Sequence, residues 1–299
     1  MKQKIEIYEV GPRDGFQNLK EYIPQDEKLR IIDGIIRSGV RHIQITSFVS
    51  PKAIPQLRDS KEIAATCMEK YTDVDFLALV PNLYGASVAW ETGIKKVSYV
   101  VSLSESHNKA NINRTHEESL AELKKIREAF PGMHICLDLA TAFGCPFEGK
   151  APVEAAVAFV EPYIKLVEEI DLCDTIGVAN PHQVRRTIQA MQKAYPGLPL
   201  QVHIHDTRNM GMVNTLAAIE SGVLRVQSTL SGLGGCPFAP GASGNLATED
   251  LVYMLNDMGY ETGIDFDQLL QVSKTQRNLI PSGTFSGHQM NIQKSNCAH

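Results

Sequence analysis

The chain has 299 residues, with 29 lysines and arginines against 34 aspartates and glutamates, for a net charge of −5. That balance offers no basic footprint for nucleic acid or an anionic membrane, and no apolar run approaches the roughly 20 residues a membrane helix requires. The length suits one large α/β domain or two ordinary ones.

The first ten residues read as a strand rather than a leader. Six cysteines, Cys67, Cys136, Cys145, Cys173, Cys236 and Cys297, include no C-x-x-C pair, which fits a reducing compartment better than a disulfide framework. The terminal SNCAH matches no peroxisomal or retrieval signal, so the expected location is cytoplasmic.

In chain order, eight short apolar runs read as strands: 5–10 (IEIYEV), 42–49 (HIQITSFV), 75–80 (DFLALV), 96–101 (KVSYVV), 134–140 (HICLDLA), 173–178 (CDTIGV), 200–206 (LQVHIHD) and 225–230 (RVQSTL). Between them lie segments with apolar residues at helical spacing, among them 26–39, 116–130 and 212–222. Strands alternating with helices imply right-handed crossovers and a parallel sheet, and eight units predict a (β/α)8 TIM barrel; a doubly wound open sheet is the rival. No linker interrupts the pattern, so residues 1–299 form a single domain, with a helical C-terminal extension from about residue 247.

A barrel gathers its chemistry where strands end and βα loops begin. Arg13 and Asp14 follow the first predicted strand, Ser47 closes the second, Asn82 follows the third, and Asp174 and Thr175 lie on the sixth. HIHDT (203–207) falls at the end of the seventh. Its two imidazoles leave one face of an extended chain about 7 Å apart and suit a divalent ion. A core histidine beside a surface one is the plain alternative. On neighbouring strands of a closed ring, Asp14 and Asn245 can approach the same point.

GPRDG (11–15) sets opposite charges side by side in a Gly/Pro turn. Arg13 supplies a fixed donor fork for a developing oxyanion while Asp14 reaches a metal; a surface ion pair is the ordinary reading. GLGGCPFAPGASGN (232–245) places Cys236 among five glycines, which reads as a mobile lid carrying a thiol for proton transfer. Cys145, in a second GCPF, reads as structural, and Cys173 as a small core residue. His42, His107, His134 and His182 have no companions at ligand spacing and read as ordinary.

EVGPRDGFQN, TSFVSPK, ATAFGCPFEG, DTIGV, HIHDT and GLGGCPFAPGASGNLATEDLVYML together resemble the 3-hydroxy-3-methylglutaryl-CoA lyase family, over about residues 5–265. The cysteine loop is the most specific of these. The resemblance implies Mg2+ or Mn2+ held by Asp14, His203, His205 and Asn245, with Arg13 at a thioester carbonyl and Cys236 as proton donor. It implies Asp174 as a further active-site acid, Gln17, Gln44, Ser47 and Arg208 about the substrate, and Glu249 in support. An acyl-CoA thioester is the expected substrate, and a homo-oligomer the expected assembly.

The reaction implied is retro-Claisen cleavage. A divalent ion acidifies a tertiary alcohol, the carbon–carbon bond breaks, and a guanidinium stabilises the thioester enolate that forms. Neither Asp174 nor a metal-bound group is singled out as the base.

Three positions depart from the family pattern. Gln44 stands where Glu is typical, Asp171 where a small hydroxyl residue is usual, and Arg208-Asn209-Met210 replace an aromatic and Gly. Arg208 would favour an extra or displaced carboxylate on the substrate. A Claisen-type synthase shares the metal motif but carries a long C-terminal extension; a non-catalytic metal- or acyl-CoA-binding barrel is the remaining alternative.

Overall fold

The computed structural model describes residues 3–235 and 244–292. Eight parallel strands close into a barrel: β1 (Glu6–Glu9), β2 (His42–Ser47), β3 (Asp75–Leu79), β4 (Lys96–Ser102), β5 (His134–Ala140), β6 (Glu169–Asp174), β7 (Leu200–Ile204) and β8 (Arg225–Ser228). They are hydrogen-bonded in chain order, with β8 returning to β1. The (β/α)8 expectation holds.

Among the described residues ten helices surround them: α1 (Gln25–Arg37), α2 (Ser60–Lys70), α3 (Leu83–Glu91), α4 (Glu105–Ile112), α5 (His116–Ala129), α6 (Val153–Val160), α7 (Pro181–Ala194), α8 (Gly211–Glu220), α9 (Thr248–Asp257) and α10 (Phe266–Leu279). The expected C-terminal extension divides in two. α9 is the barrel's own eighth helix, and α10 packs against both α9 and α1. A side chain at Gly34 of α1 would press on Val272 of α10 at 2.8 Å, so glycine lets the two helices approach. None of the described helices is long and apolar enough to cross a membrane.

The apolar core fills the space between barrel and helices, with Ile31, Ile32 and Ile35 from α1 and Val184 and Ile188 from α7 fully covered. Burying such side chains contributes about 1.5–3 kcal/mol each, which explains the helical spacing of apolar residues.

Strand six corrects the sequence reading. It is EIDLCD (169–174), and the run placed at 173–178 is mostly the loop that follows. Glu169, Asp171 and Cys173 alternate toward the barrel interior, so charged inward positions break the apolar run that a buried parallel strand is expected to show. β2 carries a register irregularity between Gln44 and Thr46, which changes which side chains face inward along it.

The closed end of the barrel is a charge network gathered around one buried carboxylate. Glu169 is fully covered and meets His134 at 3.1 Å, Lys96 at 3.4 Å and the Arg225 guanidinium. Lys96 also reaches Asp75, which pairs with His42. His42 and His134 are thus floor residues.

Candidate active site

After β1 the chain makes a single wide helical turn, Gly11–Gly15, in which the N–H groups of Arg13 and Asp14 both donate to the Val10 carbonyl, at 3.1 and 2.7 Å. Wide turns of this kind recur at functional sites because they project successive side chains to one place. Glu9 fixes the turn. Its carboxylate accepts from the N–H of Gly11 (2.8 Å) and of Leu230 (2.9 Å) and from Thr248 Oγ1 (2.6 Å), tying β1, the loop after β8 and α9 together. Burial pushes Glu9 up to about 7.

Asp14 Oδ1 accepts from the Arg13 guanidinium and from Gln17 Nε2 at 2.9 Å, while Oδ2 accepts from Asn245 Nδ2 at 2.7 Å. Burial alone would raise this carboxyl, but the charge of Arg13, the two histidines and the Asn245 hydrogen bond together outweigh it and hold Asp14 at about 2. Asp14 is therefore a permanent anion. Asn245 also donates to the Leu233 carbonyl (3.2 Å), and a side chain at Gly234 would collide with its amide.

His203 and His205 project from the end of β7 and bring their Nε2 atoms within 3.0 Å of each other. Gln227 Oε1 lies 2.9 Å from His203 Nδ1, which assigns the proton to Nδ1 and leaves Nε2 as a lone pair. Burial lowers both imidazoles, His205 to about 3, so both are neutral. Ligand atoms of Asp14, His203 and His205 all lie within 4.8 Å of one another, and all three residues are buried.

This donor set fits a divalent ion. Ligands at about 2.1 Å and right angles around one ion sit about 3 Å apart, as the two Nε2 atoms do. Paired imidazoles with a carboxylate and an amide oxygen suit Mn2+ or Mg2+ better than a soft metal.

A cavity of about 250 Å3 opens at this end, large enough for a short acyl unit. Arg13, Asp14, Gln17, His203 and His205 form one side. Across the barrel, β5 and β6 supply Asp138, Asp171 and Cys173. Leu79 and Val100 add apolar wall.

The remaining expected residues lie behind this surface. Gln44 is buried beneath Arg13, accepting from its Nε and donating to Ser98 Oγ at 2.9 Å, so it orients the guanidinium rather than facing the cavity. Ser47 is covered at the end of β2, its carbonyl accepting from Ser60 Oγ (2.8 Å), and it does not line the cavity. Glu249, near the start of α9, accepts from the Ser231 N–H and Ser273 Oγ, both at 2.8 Å, and supports the loop after β8.

Gln44 and Ser47, expected about the substrate, are thus corrected to supporting positions, and two further expectations are corrected as well. Asp174 points out of the barrel, opposite to Asp171 and Cys173 in the strand alternation, and accepts from the N–H groups of Val178 (2.9 Å) and Ala179 (3.0 Å); it braces the loop after β6. Arg208 donates to the carbonyls of Ile176 (2.7 Å) and Gly177 (3.1 Å) in that same loop instead of entering the cavity. Cys236 lies outside the described residues; the cavity wall reaches Gly235, immediately before it.

Sequence reasoning passed over several lining residues. Asp138, Cys173, His107 and Gln227 all line the cavity. Cys173 is therefore not plain core, and His107, bonded through Nδ1 to Ser102 Oγ at 2.7 Å, is not merely ordinary. The readable signal for Asp138 was a lone charge near the C-terminal end of strand HICLDLA.

The HMGL-like family model matches residues 4–275. The chain belongs to the hydroxymethylglutaryl-CoA lyase family. Among its relatives, the hydroxymethylglutaryl-CoA lyase YngG of Bacillus subtilis is 40% identical over 91% of this chain and 92% of that protein. The mitochondrial hydroxymethylglutaryl-CoA lyase of Homo sapiens is 40% identical over 91% of this chain and 84% of its own length.

The fold of the lyase family is equally evident. A solved structure of an HMG-CoA lyase from Acinetobacter baumannii, in complex with coenzyme A and 3-methylmalate, superimposes with a TM-score of 0.91 at 41% identity, covering 99% of this chain and 97% of that one. As a member of this lyase family, the protein is a carbon–carbon lyase with a buried site fitted to a divalent metal.

Proposed function

We propose that the protein cleaves 3-hydroxy-3-methylglutaryl-CoA, or a close analogue, to acetyl-CoA and a 3-oxoacid such as acetoacetate, using Mg2+ or Mn2+. The observation that carries this reading is the Asp14, His203 and His205 cluster set beside the Arg13 guanidinium in one acyl-sized cavity.

Asp14, His203, His205 and Asn245 would hold the ion, which when bound supplies Lewis acidity toward the substrate's 3-hydroxyl. Asp14 stays ionised and the imidazoles neutral, so no proton need leave these residues before they bind it. Arg13, fixed by Gln44 and Asp14, presents its remaining N–H groups toward the thioester oxygen, where negative charge accumulates as the bond between C2 and C3 breaks. Burial around that guanidinium strengthens the interaction. Cys236, one residue beyond the cavity wall, is proposed to protonate the enolate carbon.

A related 3-hydroxyacyl-CoA, such as citramalyl-CoA or a longer 3-hydroxy-3-alkylglutaryl-CoA, is the second reading. It is supported by the branched hydroxy diacid in the Acinetobacter structure. A cytoplasmic location and a homo-oligomeric state belong to the same proposal.

Purified protein loaded with Mn2+ should release acetyl-CoA from at least one member of a panel of these thioesters. Removal of metal by chelation should abolish release and re-addition restore it. No release from any member would overturn the reading.

A further inference from the structure

Asp138 and Asp171 are register partners on β5 and β6, both facing into the barrel. They are 5% and 1% exposed, and both line the cavity opposite Arg13. Each has one carboxyl oxygen, Oδ1, with no hydrogen-bond donor. A buried acceptor without a donor is costly, and a proton held on either carboxyl would offset part of that cost.

The corrected position of Asp174 leaves the substrate's alcohol proton without a protein acceptor. Asp14 is engaged by Arg13, Gln17 and Asn245. Glu9 and Glu249 are taken up by backbone and hydroxyl donors away from the cavity. Among the described residues that line the cavity, Asp138 and Asp171 are the carboxyls left.

We propose that Asp138 is the general base that takes the proton from the substrate's tertiary hydroxyl, with Asp171 as the neighbouring acid that shares a proton with it. This rests on the lyase reading above. The hydroxyl O–H bond breaks and its proton passes to Asp138. Its electron pair forms the carbonyl of the 3-oxoacid, and the C2–C3 pair moves to C2 as the thioester enolate. C2 takes a proton from a separate acid, and Asp138 returns its own to water after the 3-oxoacid leaves.

The surroundings suit that work. Facing Asp138 are Arg13 from the β1 loop, Ser98 from β4, Cys136 on its own strand, and Asp171 and the deeper Glu169 on β6. Burial raises Asp138 to about 6 against the pull of Arg13. Burial and then the charge of Asp138 raise Asp171 well above the usual carboxylate range. With both carboxyls raised and Asp171 the further of the two, the proton is held more firmly by Asp171 and Asp138 is the member poised to act as base. The Cys173 thiol, 3.5 Å from Asp171 Oδ2, holds the second acid in place.

The test compares wild type with Asp138→Asn on the most active thioester of the panel. The expected result is a fall in kcat of about 10²- to 10⁴-fold, with KM changed less than about threefold and the acidic limb of the kcat/KM profile, near pH 6 in the wild type, abolished. Mn2+ affinity and exchange of acetyl-CoA methyl protons with deuterated solvent should persist, since neither uses the alcohol. Should Asp138→Asn not fold, Asp138→Ser is held to the same outcomes.

Turnover within about threefold of wild type overturns the assignment, as does a raised KM with unchanged kcat, or parallel loss of cleavage, Mn2+ binding and exchange. Wild type that cleaves no panel member overturns the lyase reading itself, a separate result.

Discussion

Asn245 Nδ2 donates to Asp14 Oδ2 across 2.7 Å, although 231 residues separate them in sequence. This bond joins the loop after the last strand to the loop after the first and closes the candidate metal site where β8 meets β1. Asn245→Ala removes both the donor to Asp14 and an amide oxygen available to an ion. Mn2+ affinity should fall about 10- to 100-fold, measured by calorimetry, while the fold persists. Unchanged affinity would remove Asn245 from the ligand set.

Arg13 and Gln44 form a second unit, with the Gln44 amide holding the guanidinium by Nε and itself anchored on Ser98. Arg13→Lys keeps a charge but loses the fork, so kcat should fall about 10²- to 10³-fold with Mn2+ binding retained. Gln44→Leu leaves the fork intact but unbraced and should cost less, about tenfold, in steady-state turnover. An equal loss for both would mean that Gln44 touches substrate directly.

The barrel was legible because eight apolar runs and their helices repeat with a period the physics of parallel sheets demands. Asp14, His203, His205 and Arg13 were legible because strand ends are where a barrel places its chemistry. What escaped was orientation. Asp174 and Asp171 are three residues apart on β6, so alternation sends one outward and one inward, and misplacing the strand by four residues hid which was which. Arg208 looked like a pocket cation because it follows the HIHDT histidines in sequence, but its long side chain reaches the Ile176 and Gly177 carbonyls. Asp138 was missed inside an apolar strand, since period-two reading identifies a face and not what lines it.

Arg208 and Asp174 grip the loop after β6 from two sides, Arg208 by its carbonyls and Asp174 by its N–H groups. Arg208→Ala should lower stability by about 1–2 kcal/mol, read by urea unfolding, and shift activity on all panel thioesters together. If instead one carboxylate-rich substrate is lost selectively, Arg208 binds substrate and the loop assignment fails. Asp174→Asn keeps an acceptor for one N–H and should leave the pH profile of kcat unchanged in shape.

Glu169 gives the barrel a measurable acid sensitivity. Burial would raise this carboxyl, but the His134 hydrogen bond and the charges of Lys96 and Arg225 outweigh burial and hold it at about 2. A folded-state value below the unfolded one, near 4.5, contributes stability that is present above about pH 4.5 and lost as pH falls through about 2. The depression corresponds to about 3 kcal/mol. Glu169→Gln removes the charge and leaves Lys96 and Arg225 facing an amide, so at pH 6 it should unfold about 3 kcal/mol more easily. Because only the wild type titrates at this position, the gap between the two proteins should narrow steadily from pH 4.5 downward, and urea unfolding at several pH values measures it. A gap that stays constant from pH 6 to pH 3 would mean that Glu169 is not held ionised by its three partners.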